Sequence, residues 1–147
     1  MAAADITLAL FPPIGLKRGL YLNRYGQRFL NEDAYMGRAG EHALLHQQGR
    51  VWLLVDDEIY ARPQHFALEV AAVGESIAEL EAELGLPEQA LQQSVALYNR
   101  FAARGEDPLF HKRPEYLKPL TVPPFAALDL SPSRAMYSVF TLGGLRI

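Results

Sequence analysis

The sequence predicts an α+β domain, a small mixed sheet with helices packed on it, and three observations carry that expectation. Short β-rich segments stand near both ends of the chain. A continuous apolar run, Val51-Trp52-Leu53-Leu54-Val55, lies between Gly49 and Asp56-Asp57. From Ser76 to Gly105, apolar residues recur at three- and four-residue spacing.

Taken in order, Gly19 to Asn23 and Gln27 to Asn31 read as two short strands. Arg24-Tyr25-Gly26 joins them as a tight turn, with Gly26 free to take positive φ. Ala39 to Gln48 reads as a short helix stopped by Gly49. The run from Val51 to Val55 has the pattern of a strand buried on both faces. Ser76-Ile77-Ala78-Glu79 is a capping box, in which the Ser76 hydroxyl accepts from the Glu79 N–H while the Glu79 side chain reaches back. Leu80 and Leu84 extend that helix, and Gly85 ends it. Pro87 stands where a first helical residue belongs. Leu91, Ser94, Val95, Tyr98, Phe101 and Ala102 follow on one face before Gly105. Asp107 to Pro124 is proline-rich and irregular, anchored by Phe110, Tyr116 and Leu120. Phe125 to Leu130 and Tyr137 to Phe140 read as two strands flanking a turn at Ser131-Pro132-Ser133.

The totals narrow the function. The 147 residues, 50% hydrophobic and 21% charged, suit one domain with a real core. A net charge of −3 provides no positive field to draw nucleic acid or an anionic membrane, so neither is an expected partner. Cysteine is absent, which removes disulfides, thiolate catalysis and Cys-type metal sites. The N-terminal stretch has no basic n-region, and the apolar segment from Ile6 to Ile14 is short and carries Pro12 and Pro13, so a soluble, cytoplasmic protein is expected.

Each candidate motif has a plainer reading beside it. His42 and His46 share a helix face as metal ligands do, but Glu41 precedes both instead of standing between them, and a solvated face is the better reading. Asp56, Asp57 and Glu58 could gather a cation, yet such residues more often form a polar turn and the start of a helix. No metal is expected. Neither G-x-G-x-x-G nor G-x-x-x-x-G-K-[ST] occurs, so no phosphate cradle is encoded, and no G-x-S-x-G elbow is present. Thr141-Leu142-Gly143-Gly144 follows an expected strand and would let backbone approach something flat closely, although most Gly-Gly pairs are turns.

Two segments together change that weight. The stretch from Gly19 to Glu32, with Asn23, Gly26, Arg28-Phe29 and Asn31-Glu32, resembles the N-x-x-G-x-R-F-x-N-E segment of the fumarate reductase, succinate dehydrogenase and 3-ketosteroid dehydrogenase flavoprotein superfamily. Pro123 to Ala127, followed by Thr141 to Leu145, resembles its P-P-F-Y-A and T-x-G-G-L segments. Trp52 to Asp57, the Ser76 box, Leu86-Pro87 and Tyr98 to Phe101 occur between them in the family's order.

The resemblance implies a cap-type domain over residues 19–140 that faces substrate. Residues 1–18 would lead in from an FAD-binding domain and residues 141–147 would begin the return to it. Both dinucleotide-binding parts would then lie outside this sequence, in the same full-length chain. FAD would belong to the full-length protein, and the isolated piece is expected to bind none and to be inactive. The chemistry implied is addition or removal of two hydrogens across a CH–CH bond next to a carbonyl or carboxylate in a small-molecule substrate. Thr141, Gly143 and Gly144 would lie at the flavin, with Glu32 and Phe140 at the substrate. Fumarate reductases carry a Thr-Arg-Asp after the Asn-Glu pair, whereas here Arg38 is displaced by two positions and lacks those neighbours. Ketosteroid dehydrogenases carry a tyrosine base near the place of Tyr35. Tyr35 is therefore the expected proton acceptor, with Arg38 as electrostatic support. The plainer reading is that Tyr35 packs and Arg38 caps the helix or pairs with Glu41. Phe140 stands where fumarate reductases place a carboxylate-gripping histidine, which favours an uncharged, enone-type substrate, although Arg134 or Arg146 could substitute. A stand-alone binding or interaction module is the other class the sequence allows.

Overall fold

In the computed structural model the described residues are 14–34, 36–60 and 69–131. Four strands, β1 (Leu20–Asn23), β2 (Val51–Val55), β3 (Val70–Gly74) and β4 (Phe125–Asp129), form one sheet in the order β1-β2-β4-β3. Every pairing among them is antiparallel, so the mixed sheet expected from the sequence is corrected to an antiparallel one among the described residues. The helices are α1 (Met36–His46), α2 (Ile77–Glu83) and α3 (Ala90–Ala102), with 3₁₀ turns at Ile14–Arg18 and Pro114–Tyr116. No helix among the described residues is long and apolar enough to cross a membrane.

The strand expected to be buried on both faces is β2, whose five residues are all buried between β1 and β4. Around it the core gathers Leu20 and Leu22 of β1, Leu80, Leu91, Val95 and Tyr98 from the helices, and Ala127 and Leu128 of β4. The turn after β1 forms as expected. Gly26 takes φ +73°, and the Asn23 side chain accepts from the Tyr25 and Gln27 N–H groups at 3.0 and 3.1 Å. The second expected strand shrinks to one bridge, Leu22 to Arg28. Beyond it, Arg28 and Glu32 turn their side chains inward to a buried ion pair, and an Asn31–Asp33 turn takes the chain off the ladder.

β3 was not expected. Its Val-Ala-Ala-Val-Gly sequence lacks polar–apolar alternation, because it is an edge strand with an irregular register at Val70 and Ala72 and mostly exposed residues. It ends at Gly74, where an added Cβ would lie 2.8 Å from the Leu80 nitrogen. That close approach lets the first turn of α2 pack on the sheet.

The cap of α2 is the predicted one, with Ser76 Oγ accepting from Glu79 N at 3.2 Å. Its return bond goes one residue further back than expected, from Glu75 N to Glu79 Oε2 at 2.8 Å. α3 begins at Ala90 and not at Pro87, because its start is set by a neighbouring helix. Glu81 of α2 accepts from the N–H groups of Gln89, Leu91 and Gln92 at 2.6, 2.8 and 3.1 Å, doing for α3 what a local cap residue normally does. Burial alone would raise the Glu81 carboxyl, but these donors outweigh it and hold its pKa below the ordinary value.

α1 starts ahead of the expected Ala39 and stops at His46, before Gln48 and Gly49, both at positive φ. Among its described side chains, from Arg38 on, it buries only small ones, Ala39 and Ala43, and leaves Leu44 and Leu45 60% and 65% exposed.

A buried charge cluster at the candidate functional site

The Arg-Phe-x-Asn-Glu segment builds the most heavily bonded polar feature among the described residues. Arg28 and Glu32 face each other, with Nε to Oε1 at 2.8 Å and Nη2 to Oε2 at 2.7 Å. The other edge of the guanidinium binds Asp107 in the same two-pronged way, at 2.9 and 3.0 Å. Lys112 completes the group, its Nζ donating to the Gly19 carbonyl at 2.8 Å and standing 3.6 Å from Glu32 Oε2. Tyr21 N also donates to Glu32, at 3.3 Å. Two cations and two carboxylates thus neutralise one another. The guanidinium lies 4.9 Å from both the Tyr98 and the Phe110 ring centres, in cation–π contact with each. Beside it a cleft of about 250 Å³ is lined by Leu97, Tyr98, Phe101 and Phe110. Its charged lining groups, Arg28 and Asp107, are spent on each other.

The environment sets the protonation. Burial opposes the Arg28 charge, but its hydrogen bonds to Glu32 and Asp107 outweigh that and raise its pKa. Burial would raise Asp107, yet Arg28 and the Lys112 N–H hold it below the usual carboxylate range. Burial pulls Lys112 from 10.5 to about 8 against the attraction of Glu32, and it pushes the Tyr98 phenol up to about 12.

This arrangement predicts an unusual pH profile. Between pH 8 and 10 the unfolded chain holds a proton on Lys112 that the folded chain has released, so stability rises with pH there, by about 2 kcal/mol. Above about pH 10 the unfolded chain loses the Tyr98 proton that the folded chain keeps, and stability falls again. Urea midpoints measured across this range should climb and then drop. Lys112→Met should remove the climb, and a flat profile in the parent protein would refute the assignment.

The expected site residues distribute unevenly. Tyr35, Phe140, Thr141, Gly143 and Gly144, with Arg134 and Arg146, lie outside the described residues, as does the strand expected at 137–140. Glu32, expected at the substrate, has a side chain with no exposed area, and both its oxygens are engaged within the cluster. Arg38 is exposed on the first turn of α1, and no ion pair joins it to Glu41. His42 packs on Phe29 with ring centres 5.1 Å apart, and His46 lies 4.9 Å further along. No group of three metal-binding side chains occurs among the described residues. Asp56 forms the polar turn, accepting from Ile59 N, Lys118 Nζ, Thr121 N and Val122 N at 3.0 to 3.2 Å, and residues 57–59 are turns, not a helix.

Asp107, Lys112 and Tyr98 were not singled out as a polar site from sequence. Asp107 and Lys112 sit in the stretch read as irregular, far along the chain from Arg28, and no spacing rule joins such positions.

Seven of the described glycines show no phosphate cradle. Gly19, Gly26 and Gly74 press on the chain's own backbone, and Gly15, Gly49, Gly85 and Gly105 have nothing within 4 Å of an added Cβ. None of these seven glycines therefore marks a seat for the phosphates of FAD.

Comparison with known proteins shows this α+β domain to be part of the FAD-dependent oxidoreductase superfamily. The chain belongs to the family described as the FAD binding domain, whose model matches residues 14–147. Its fold is similar to that of the 3-ketosteroid-Δ4-(5α)-dehydrogenase of Rhodococcus jostii RHA1 in complex with 4-androstene-3,17-dione. That likeness has 40% identity and a TM-score of 0.73, covering 80% of this chain and 26% of that one. The 3-oxo-5-alpha-steroid 4-dehydrogenase of Comamonas testosteroni is 29% identical, over 92% of this chain and 29% of its own length. A fumarate reductase (cytochrome) of Shewanella frigidimarina is also 29% identical, over 87% of this chain and 22% of its own length. The chain thus spans less than a third of these curated relatives.

Proposed function

We propose that this chain is the substrate-facing cap of a longer FAD-dependent oxidoreductase acting on a CH–CH bond next to a carbonyl. The observation that carries the reading is the 40% identity over 80% of the chain to a ketosteroid dehydrogenase, with the same fold. Residues 19–140 form the cap, with 1–18 and 141–147 joining it to an FAD-binding domain in the same polypeptide. The absence of a G-x-G-x-x-G run from the sequence supports that division.

When bound, the flavin supplies the hydride acceptor or donor. Tyr35 takes the proton from one carbon as the neighbouring carbon gives up its hydride, leaving a carbon–carbon double bond conjugated with the carbonyl. Arg38 favours the phenolate by its charge. Glu32 serves by holding the chain ahead of Tyr35 and does not touch substrate. Thr141, Gly143 and Gly144 lie at the flavin ring. Phe140 gives the substrate an aromatic wall where a dicarboxylate would need a cation, so an uncharged ketone of steroid-like bulk fits best.

The test compares the full-length protein with this 147-residue piece. The full-length protein should purify yellow and, with a dye as electron acceptor, oxidise a 3-oxo-5α-steroid while leaving succinate untouched and failing to reduce fumarate. The short piece should hold no flavin. Flavin bound by the short piece, or fumarate reduced faster than the steroid is oxidised, would overturn the reading.

A further inference from the structure

Three consecutive residues ahead of α1 are each matched by one of three consecutive residues in the loop after α3. Asn31 Nδ2 donates to the His111 carbonyl at 3.2 Å. Glu32 stands 3.6 Å from Lys112 Nζ. Asp33 accepts two hydrogen bonds from Arg113, the one from Nη2 at 2.9 Å. Asp33 Oδ1 also accepts from Lys17 Nζ at 3.3 Å, which ties in the 3₁₀ turn at Ile14–Arg18. Both cations lie over the Tyr116 ring, at 5.2 Å for Arg113 and 5.4 Å for Lys17. Within the loop, Asn31 Oδ1 accepts from Asp33 N at 2.8 Å, and the Asn31 carbonyl accepts from Ala34 N at 3.0 Å. The chain from 31 to 34 is therefore held on several sides by polar contacts, and the next residue is Tyr35.

We propose that Asp33 and Arg113 are positioning residues for the reaction, their ion pair fixing the chain that leads into Tyr35 and Arg38. The inference rests on the reading of Tyr35 as proton acceptor. Stability gives little reason for the pair. The Arg113 side chain is 58% exposed, and such solvent-screened pairs add little to folding stability. Geometry gives a better reason. A misplacement of about 1 Å in a reacting group costs on the order of 100-fold in rate, so a clasp worth little to the fold is worth much to the proton transfer. The Asp33 side chain is only 7% exposed, so its carboxylate is seated and its partner is the movable half.

In the full-length flavoprotein with a 3-oxo-5α-steroid, Arg113→Gln should lower kcat by roughly 10- to 100-fold, with KM, flavin content and melting temperature nearly unchanged. Amide hydrogen exchange over residues 34–38 should quicken. In a Tyr35→Phe background the same substitution should have no further effect on kcat, because the group it places is gone. An undiminished kcat in Arg113→Gln beside a slowed Tyr35→Phe overturns the clasp alone, as does a full additional loss in the double variant. An unchanged rate in Tyr35→Phe by itself overturns the reading beneath it, and the clasp falls with it.

Discussion

Arg28→Ala is expected to destabilise the domain by about 3–5 kcal/mol, the range for breaking a buried ion pair by removing one partner. Arg28 bonds two carboxylates through both edges of its guanidinium, with 5% of its side chain exposed against 0% for Glu32 and 3% for Asp107. Without it, two negative charges remain in the interior facing one lysine, and that lysine stands 3.6 Å from Glu32. The cost is mainly the stranded charge, to which the lost stacking on Tyr98 and Phe110 adds. Arg28→Lys should recover little of it, since an ammonium cannot present a planar fork to two carboxylates at once. Melting temperature should fall by on the order of 10 °C for a chain of this size. The exposed Arg113 provides the control, and Arg113→Gln should leave the urea midpoint close to the parent's. A loss under 1 kcal/mol for Arg28→Ala, measured by urea denaturation, would show that water reaches the cluster.

The features readable in the sequence are those whose cause is local. The apolar run of β2 needs no partner to be recognised, and neither does the Ser76 cap nor the positive φ of Gly26. The features that escaped are set across the fold. β3 owes its place to pairing with β4, not to its own alternation. α3 starts at Ala90 because Glu81 of another helix supplies the carboxylate, and nothing near Pro87 in sequence announces it. Gln27 to Asn31 follows a tight turn as a hairpin strand would, yet the pull of Arg28 and Glu32 toward Asp107 and Lys112 ends the ladder after one bridge. The same distance hid the cluster itself. Arg28 and Glu32 were visible as motif letters, but their work depends on a loop that composition marked only as irregular. Glu32 is the clearest instance. A carboxylate in a motif invites a substrate role, and only burial reveals that its oxygens are already engaged.

Tyr35→Phe is expected to lower kcat of the full-length enzyme by about 100- to 10,000-fold, the usual contribution of a positioned proton acceptor. The substitution removes one oxygen and keeps the ring, so packing and flavin content should hold while the proposed proton acceptor is lost. An ordinary tyrosine ionises near pH 10, so the parent kcat/KM should rise with pH until the phenolate dominates. That rising limb should vanish in Tyr35→Phe, leaving a low and flat profile. Arg38→Gln should act differently, moving the limb toward higher pH while leaving the plateau close to the parent's. Its effect should be small, because Arg38 is exposed and water screens its charge. The contrast separates the two roles. A side chain that accepts the proton sets the height of the profile, and one that only favours the phenolate sets its position. If Tyr35→Phe kept both height and limb, the proton would have to leave through another group, and the placement of Asp33 and Arg113 would be structural only.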